Sequence, residues 1–201
     1  MQILAIDLGT ETLPAIAVGR EPAEPGTMGR PPRGRGERLI TAALLRRAWL
    51  VLGLTSAVLV TIGFLAVLLR AGWSPGDDVG DGLHDEATTM TFLGIVACQV
   101  GVAFASRTDR ATLRSVGVLS NRLLLWGIAL ELVFAAAIVW LPPLQDVFGT
   151  RPPDPAVLVL LPVFPIVVWA VDAVVRRIRN GAVDYGAGRR QEPDDPLGLQ
   201  I

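Results

Sequence analysis

Four long stretches with almost no charge constrain the fold of this chain more than any other feature. Residues 48–69 and 87–106 contain no charged side chain, residues 123–141 contain only Glu131, and residues 156–175 contain only Asp172. A helix of roughly 20 apolar residues crosses a hydrocarbon core about 30 Å thick, and each stretch reaches about that length. The pattern predicts four transmembrane helices.

A fifth stretch, residues 1–19, is apolar in outline but contains Asp7, Glu11 and Pro14. It lacks a positively charged leader and a small-residue cleavage site, so it is interpreted as a further transmembrane segment rather than a signal peptide. The chain is 18% charged, against roughly 25% in typical soluble domains. We therefore expect an all-α, polytopic membrane helix bundle of about five segments over residues 1–178, followed by a disordered cytoplasmic tail over 179–201.

Arginine-rich loops alternate with acidic or neutral ones. The loop 20–47 has seven Arg, the loop 107–122 has four and the tail after residue 175 has five, whereas 70–86 and 142–155 have one each. Cytoplasmic loops of membrane proteins carry the excess of positive charge. The three basic segments, including the C-terminus, are therefore predicted to be cytoplasmic in a multi-pass protein of the cell membrane.

The first segment carries the chemistry. Asp7 and Glu11 are four residues apart, which places them on one face of a helix with Thr10 nearby. Pro14 has no N–H for the carbonyl of residue 10, and the loosened turn frees backbone oxygens. Carboxylate, hydroxyl and carbonyl oxygens are ligands for hard cations, so Asp7 and Glu11 are candidate metal ligands, with Thr10 beside them. The alternative is that both acids lie at a membrane boundary, paired or solvated.

Several motifs, in order along the chain, resemble the P-type cation-transporting ATPases of the branch that contains the calcium and sodium/potassium pumps. Ile6-Asp-Leu-Gly-Thr-Glu-Thr-Leu-Pro-Ala-Ile-Ala resembles their sixth transmembrane helix, and Met28-Gly-Arg-Pro-Pro-Arg33 the loop that follows it. Ala87-Thr-Thr-Met-Thr-Phe is similar to the eighth helix, Leu141-Pro-Pro-Leu-Gln to the loop after the ninth, and Phe164-Pro-Ile-Val-Val-Trp169 to the tenth. The resemblance covers nearly the whole chain.

The resemblance implies a role for particular residues. Asp7, Thr10 and Glu11 match the cation ligands of the family's sixth helix, and Gln99 matches an eighth-helix position that joins the site in some members. Glu11 stands where the well-known pumps have Asp, so ion selectivity cannot be transferred. The implied function is a membrane domain that contributes part of a transmembrane cation site. Its implied partners are the lipid bilayer, the transported cation and the remaining part of a pump, with no nucleic acid.

The family's catalytic motifs are not found in these 201 residues. The sequence contains no Asp-Lys-Thr-Gly-Thr, no Thr-Gly-Glu and no Gly-Asp-Gly-x-Asn-Asp. We therefore expect the chain to be a fragment that is not catalytic alone and holds no cofactor, with ATP and Mg²⁺ belonging to the missing domains. The alternatives are a non-catalytic scaffold or regulatory subunit packed against a complete pump, and a small autonomous channel or exchanger.

Two more acids lie within the apolar stretches. Glu131 is a candidate buried acid that pairs with an Arg, is protonated between helices, or lines a proton or counter-ion path. Asp172 lies one helical turn before Arg176, and the spacing predicts an ion pair at the membrane interface.

Overall fold

A computed structural model describes residues 12–21, 40–107 and 119–188, together with Gln2, Ile6 and Gly117. Regular structure in these residues is helical throughout. The helices are α1 (Thr12–Gly19), α2 (Ala42–Arg70), α3 (Asp81–Ser106), α4 (Arg122–Trp140), α5 (Pro142–Phe148), α6 (Pro155–Leu158) and α7 (Val163–Gly188). Four helical stretches are long and apolar enough to cross a membrane: α2, α3, α4 and Pro155–Arg179. The predicted all-α, multi-pass membrane bundle is confirmed.

Helix α2 begins before its apolar stretch, at Ala42. The Thr41 side chain accepts a hydrogen bond from the backbone N–H of Leu44 at 3.2 Å and so caps the helix. The helix then passes through a π-helical segment, Arg47–Gly53, before it becomes regular. Such segments are rare, and the sequence alone did not indicate this one.

The last membrane-crossing stretch is divided into two helices. Pro162 lies between α6 and α7, and a proline there cannot donate a backbone hydrogen bond to the preceding turn. Pro165 falls in the first turn of α7, where no N–H is required. Helix α7 then continues to Gly188, past residue 179 where the disordered tail was expected to begin, and residues 189–201 lie outside the described part of the chain.

Helix α3 is the centre of the bundle. It packs against α2, α7, α4 and α1, and it is the most buried of the membrane-crossing helices. Its crossing with α7 is close at Gly101, where a Cβ atom would lie 2.8 Å from both the Cα and the carbonyl oxygen of Pro165. Small residues let helix backbones approach in membranes, and here the glycine is required by the neighbouring backbone.

The loops meet at two opposite ends of the bundle. At one end, called here the arginine-rich end, Arg47 reaches Asp172 and Arg107 reaches Glu21. At the other end Arg70 reaches Asp154. The loops predicted to share a side of the membrane therefore lie at the same end of the bundle.

Candidate functional site

The predicted ligands Asp7, Thr10 and Glu11 lie outside the described residues, but the chain on both sides of them is described. Ile6 belongs to a buried apolar cluster with Phe92 and Val96 of α3 and Ala135 of α4. Ala17, in α1, belongs to a second cluster. Both flanks of the acidic segment are therefore held against α3 and α4.

The second cluster joins the same two helices closer to the arginine-rich end. Ala17 is fully buried there with Ala103 of α3 and with Leu124 and Ile128 of α4. The two clusters lie at different heights along α3 and α4, and the region between them is called here the bracketed level. The rise of about 1.5 Å per residue shows which residues of α3 and α4 lie there.

Gln99 and Glu131 lie at this bracketed level. Gln99 is three residues after Val96 and four before Ala103, so it lies about 4.5 Å and about 6 Å from them along the axis of α3. Glu131 has the same spacing from Ile128 and Ala135 on α4, and only 2% of it is exposed. The tertiary structure thus brings the two polar side chains to the level flanked by Ile6 and Ala17.

Gln99 also borders a cavity of about 290 Å³ between α2 and α3. The cavity is lined by Ser56, Ala57 and Val60 of α2 and by Ile95, Cys98, Gln99 and Val102 of α3. Successive residues are turned by about 100° around a helix, so Gln99 lies between the face of Val96 and the face of Cys98. Its amide oxygen can ligate a hard cation but brings no negative charge.

The described helices do not form a metal site by themselves. Within the described part of the chain, no three Asp, Glu, His or Cys side chains come together. At the level of Gln99 the described residues supply one amide and the Glu131 carboxyl group.

The predicted ion pair of Asp172 with Arg176 is confirmed, with 2.8 Å between Oδ2 and Nε. The sequence interpretation missed a second arginine on the same carboxylate. Arg47 donates from Nε to Oδ1 at 2.7 Å and from Nη2 to Oδ2 at 3.0 Å, and Nη2 also reaches the carbonyl of Ala105 at 2.9 Å. The Asp172 side chain is fully buried. Because Arg47 of α2 contacts both Asp172 of α7 and Ala105 of α3, it joins these three helices at the arginine-rich end.

A second polar group at this end was also missed, and it includes the end of α1. Arg107 donates to Glu21 from Nη2 at 2.6 Å and from Nε at 3.1 Å, and Asn121 donates to the other Glu21 oxygen at 2.6 Å. Burial raises the pKa of Glu21, but the hydrogen bonds from Arg107 and Asn121 and the charge of Arg107 lower it more. The pKa of this carboxyl group therefore lies below its ordinary value of 4.5.

The polar contacts at the opposite end are more exposed. Arg70 and Asp154 form an ion pair of 2.9 Å with about half of each side chain in contact with solvent. The backbone N–H of Ala156 and the guanidinium of Arg70 lower the pKa of Asp154. The backbone N–H of Asp154 donates to Glu86 at 2.8 Å, which ties the start of α6 to α3. These contacts close the bundle but do not approach the level of Gln99.

Comparison with known proteins agrees with the fold. The family described as "Cation transporting ATPase, C-terminus" matches residues 1–178. The chain is 30% identical over 173 residues to "Calcium-transporting ATPase 1" of Yarrowia lipolytica, which covers 86% of this chain and 17% of that protein. It is 31% identical over 183 residues to "Probable cation-transporting ATPase F" of Mycobacterium tuberculosis, covering 89% and 19%.

A human relative is similar over a shorter region. "Calcium-transporting ATPase type 2C member 1" of Homo sapiens is 28% identical over 151 residues, which cover 75% of this chain and 15% of that protein. The chain spans less than a fifth of the length of these relatives. The family match over most of the chain and the bundle of membrane-crossing helices lead to one conclusion: this chain belongs to the cation-transporting ATPase C-terminus family and is a C-terminal membrane domain of such an ATPase.

Proposed function

We propose that this domain contributes part of a transmembrane cation site, with Asp7, Thr10 and Glu11 as ligands and Gln99 as a further oxygen donor. The observation that carries the proposal is the bracketed level: Ile6 and Ala17, the two flanks of the acidic segment, are buried against α3 and α4 around it. A carboxylate within a membrane-crossing segment is costly unless it is compensated, and a bound cation compensates it.

The chemistry of the donors favours a hard cation. Two carboxylates, a hydroxyl and an amide oxygen suit an ion that takes six to eight oxygen ligands, of which Ca²⁺ is the usual example. Two of the similar proteins carry calcium in their names. Calcium is therefore the first ion to test, although Glu11 in place of Asp lengthens one ligand by a methylene and can change the selectivity.

Transport requires energy from outside these residues. Because the chain lacks the phosphorylation motif, coupling would come from the remaining part of the pump, to which ATP and Mg²⁺ belong. In this scheme the domain holds part of the ion site, and the remaining part of the pump controls how ions reach and leave that site.

The test is a calcium titration of the chain in lipid nanodiscs, read by amide hydrogen exchange in α1. We expect Ca²⁺ to slow exchange in α1 in a saturable way, because bound cations order the segment next to it. The double variant Asp7→Asn/Glu11→Gln should lose this effect.

The matched control is Asp78→Asn/Asp81→Asn, which removes the same number of charges from exposed positions in the loop before α3 and at its first residue. It should titrate like the unchanged chain. An unchanged chain that shows no calcium effect, or a double variant that retains it, would overturn the proposal and favour the scaffold alternative. Calcium flux through the chain alone in liposomes, without ATP, would favour the channel alternative instead.

A further inference from the structure

We infer that Arg107 is a positioning residue for the proposed cation site, because it fixes the end of α1 against α3 and α4. The inference rests on the proposed function above. Arg107, Glu21, Ser120 and Asn121 are together called the Arg107 clamp. It lies at the arginine-rich end, about two helical turns from the level of Gln99 on α3.

The arginine is held in one geometry. Its side chain is fully buried, and Nη2 donates both to Glu21 Oε1 at 2.6 Å and to Ser120 Oγ at 2.7 Å. Nε donates to the same Glu21 oxygen at 3.1 Å. Charge-assisted hydrogen bonds of this kind are the strong ones, and the planar fork of arginine sets their direction.

Asn121 connects the clamp to two helices. Its Nδ2 donates to Glu21 Oε2 at 2.6 Å and to the backbone carbonyl of Ala17, in the last turns of α1, at 3.0 Å. Its Oδ1 accepts a hydrogen bond of 3.0 Å from the backbone N–H of Leu124 and so caps α4. The two oxygens of Glu21 are thus divided between α3, through Arg107, and α4, through Asn121.

Helix α1 depends on such contacts for its position. It has eight residues and is about 12 Å long, which is too short for a helix that is stable by itself. The clamp holds the C-terminal end of α1, which Glu21 follows. The candidate ligands directly precede the N-terminal end of α1 in the sequence. Ca²⁺ requires oxygen distances of about 2.3–2.6 Å, so a small shift of α1 changes the affinity.

The chain provides a matched control in the Arg47–Asp172 pair. It has the same chemistry, an arginine that donates twice to a buried carboxylate at the same end of the bundle. The contacts described for it join α2, α3 and α7. Loss of this pair should weaken the bundle without releasing α1, which separates positioning from general destabilisation.

The experiment uses the chain in nanodiscs, with amide exchange in α1 measured first without Ca²⁺ and then as a function of Ca²⁺. For Arg107→Gln we expect exchange in α1 to rise about tenfold or more, as loss of hydrogen bonds to a charged group implies. The calcium concentration at half-effect should rise by a similar factor. Arg107→Lys keeps the charge but loses the fork, and it should recover only part of both effects.

Glu21→Gln and the double variant Arg107→Gln/Glu21→Gln show whether the two residues act together. If Arg107 acts through Glu21, the double variant should be no worse than the more affected single variant. Glu21→Gln leaves Arg107 bonded to Ser120, so it serves as the milder test if Arg107→Gln fails to fold. Arg47→Gln should unfold at a lower denaturant concentration than the unchanged chain. Its rate of amide exchange in α1 and its calcium concentration at half-effect should stay the same.

Three results would overturn the inference or the proposed cation site. Unchanged exchange in α1 for both Arg107→Gln and Glu21→Gln overturns the inference, and so does an equal calcium shift for Arg47→Gln. An unchanged chain without any calcium effect overturns the proposed cation site and the affinity claim with it. In that case faster exchange in α1 of Arg107→Gln would still establish the clamp as the structural attachment of α1.

Discussion

Arg47 at the start of the π-helical segment and Asp172 in α7 are joined by two hydrogen bonds, of 2.7 and 3.0 Å, across 125 positions of sequence. Arg176 contacts the same carboxylate at 2.8 Å. Removal of this buried carboxylate would leave two arginines without their counter-charge in a low-dielectric environment. This group is therefore expected to dominate the stability of the arginine-rich end.

Replacement of Asp172 by Asn tests that expectation. The variant leaves two arginines without their carboxylate, which for buried pairs costs about 3–5 kcal/mol of unfolding free energy. Asp154→Asn, which removes the exposed partner of Arg70, should cost much less, because solvent screens an exposed ion pair. Denaturant unfolding in nanodiscs, followed by tryptophan fluorescence, measures both, and equal losses would show that burial of Asp172 does not matter.

Gly101→Ala should separate α3 from α7. The added methyl group would lie 2.8 Å from the backbone of Pro165, and backbone cannot move aside as a flexible side chain can. We expect a loss of about 1–3 kcal/mol in unfolding free energy, as for other overpacked sites. Gly80→Ala is the control because nothing lies within 4 Å of the new atom; a Gly101→Ala variant as stable as this control would contradict the close crossing.

Acid should weaken the attachment of α1. The pKa of Glu21 is lowered in the folded chain, so its contribution to stability is present above the ordinary value of 4.5 and is lost as the pH falls through the lower folded value. We expect the difference in unfolding free energy between the unchanged chain and Glu21→Gln to shrink as the pH is lowered below about 4.5. A difference that stays constant from pH 7 to pH 3 would show that the Glu21 charge contributes nothing.

Gln99 should influence calcium binding through its oxygen. Gln99→Ala removes one ligand and should raise the calcium concentration at half-effect several-fold. Such a factor corresponds to the net free energy of about one hydrogen bond. Gln99→Glu adds a charge at the same level and should lower it. Thr61→Val serves as control, since its hydroxyl bonds only to Ala57 of its own helix at 2.8 Å among the contacts described. Identical titrations for Gln99→Ala and the control would remove Gln99 from the proposed site.

The membrane-crossing stretches and the pairing of Asp172 with Arg176 were predictable because both depend on neighbours in sequence. Apolar length determines which segments cross a bilayer, and residues four apart meet on any helix. Arg47 was not predictable as a partner of Asp172, because nothing local distinguishes it from the other arginines near the membrane surface.

The candidate site divides in the same way. The acidic first segment, its proline and the single polar residues Gln99 and Glu131 within apolar helices are evident from the sequence alone. That these two residues lie at one level, between the Ile6 and Ala17 clusters, and that Arg107 and Asn121 hold the end of α1 through Glu21, emerged from the folded bundle. The relative height and rotation of packed helices depend on many weak contacts between distant segments, and no local pattern records that sum.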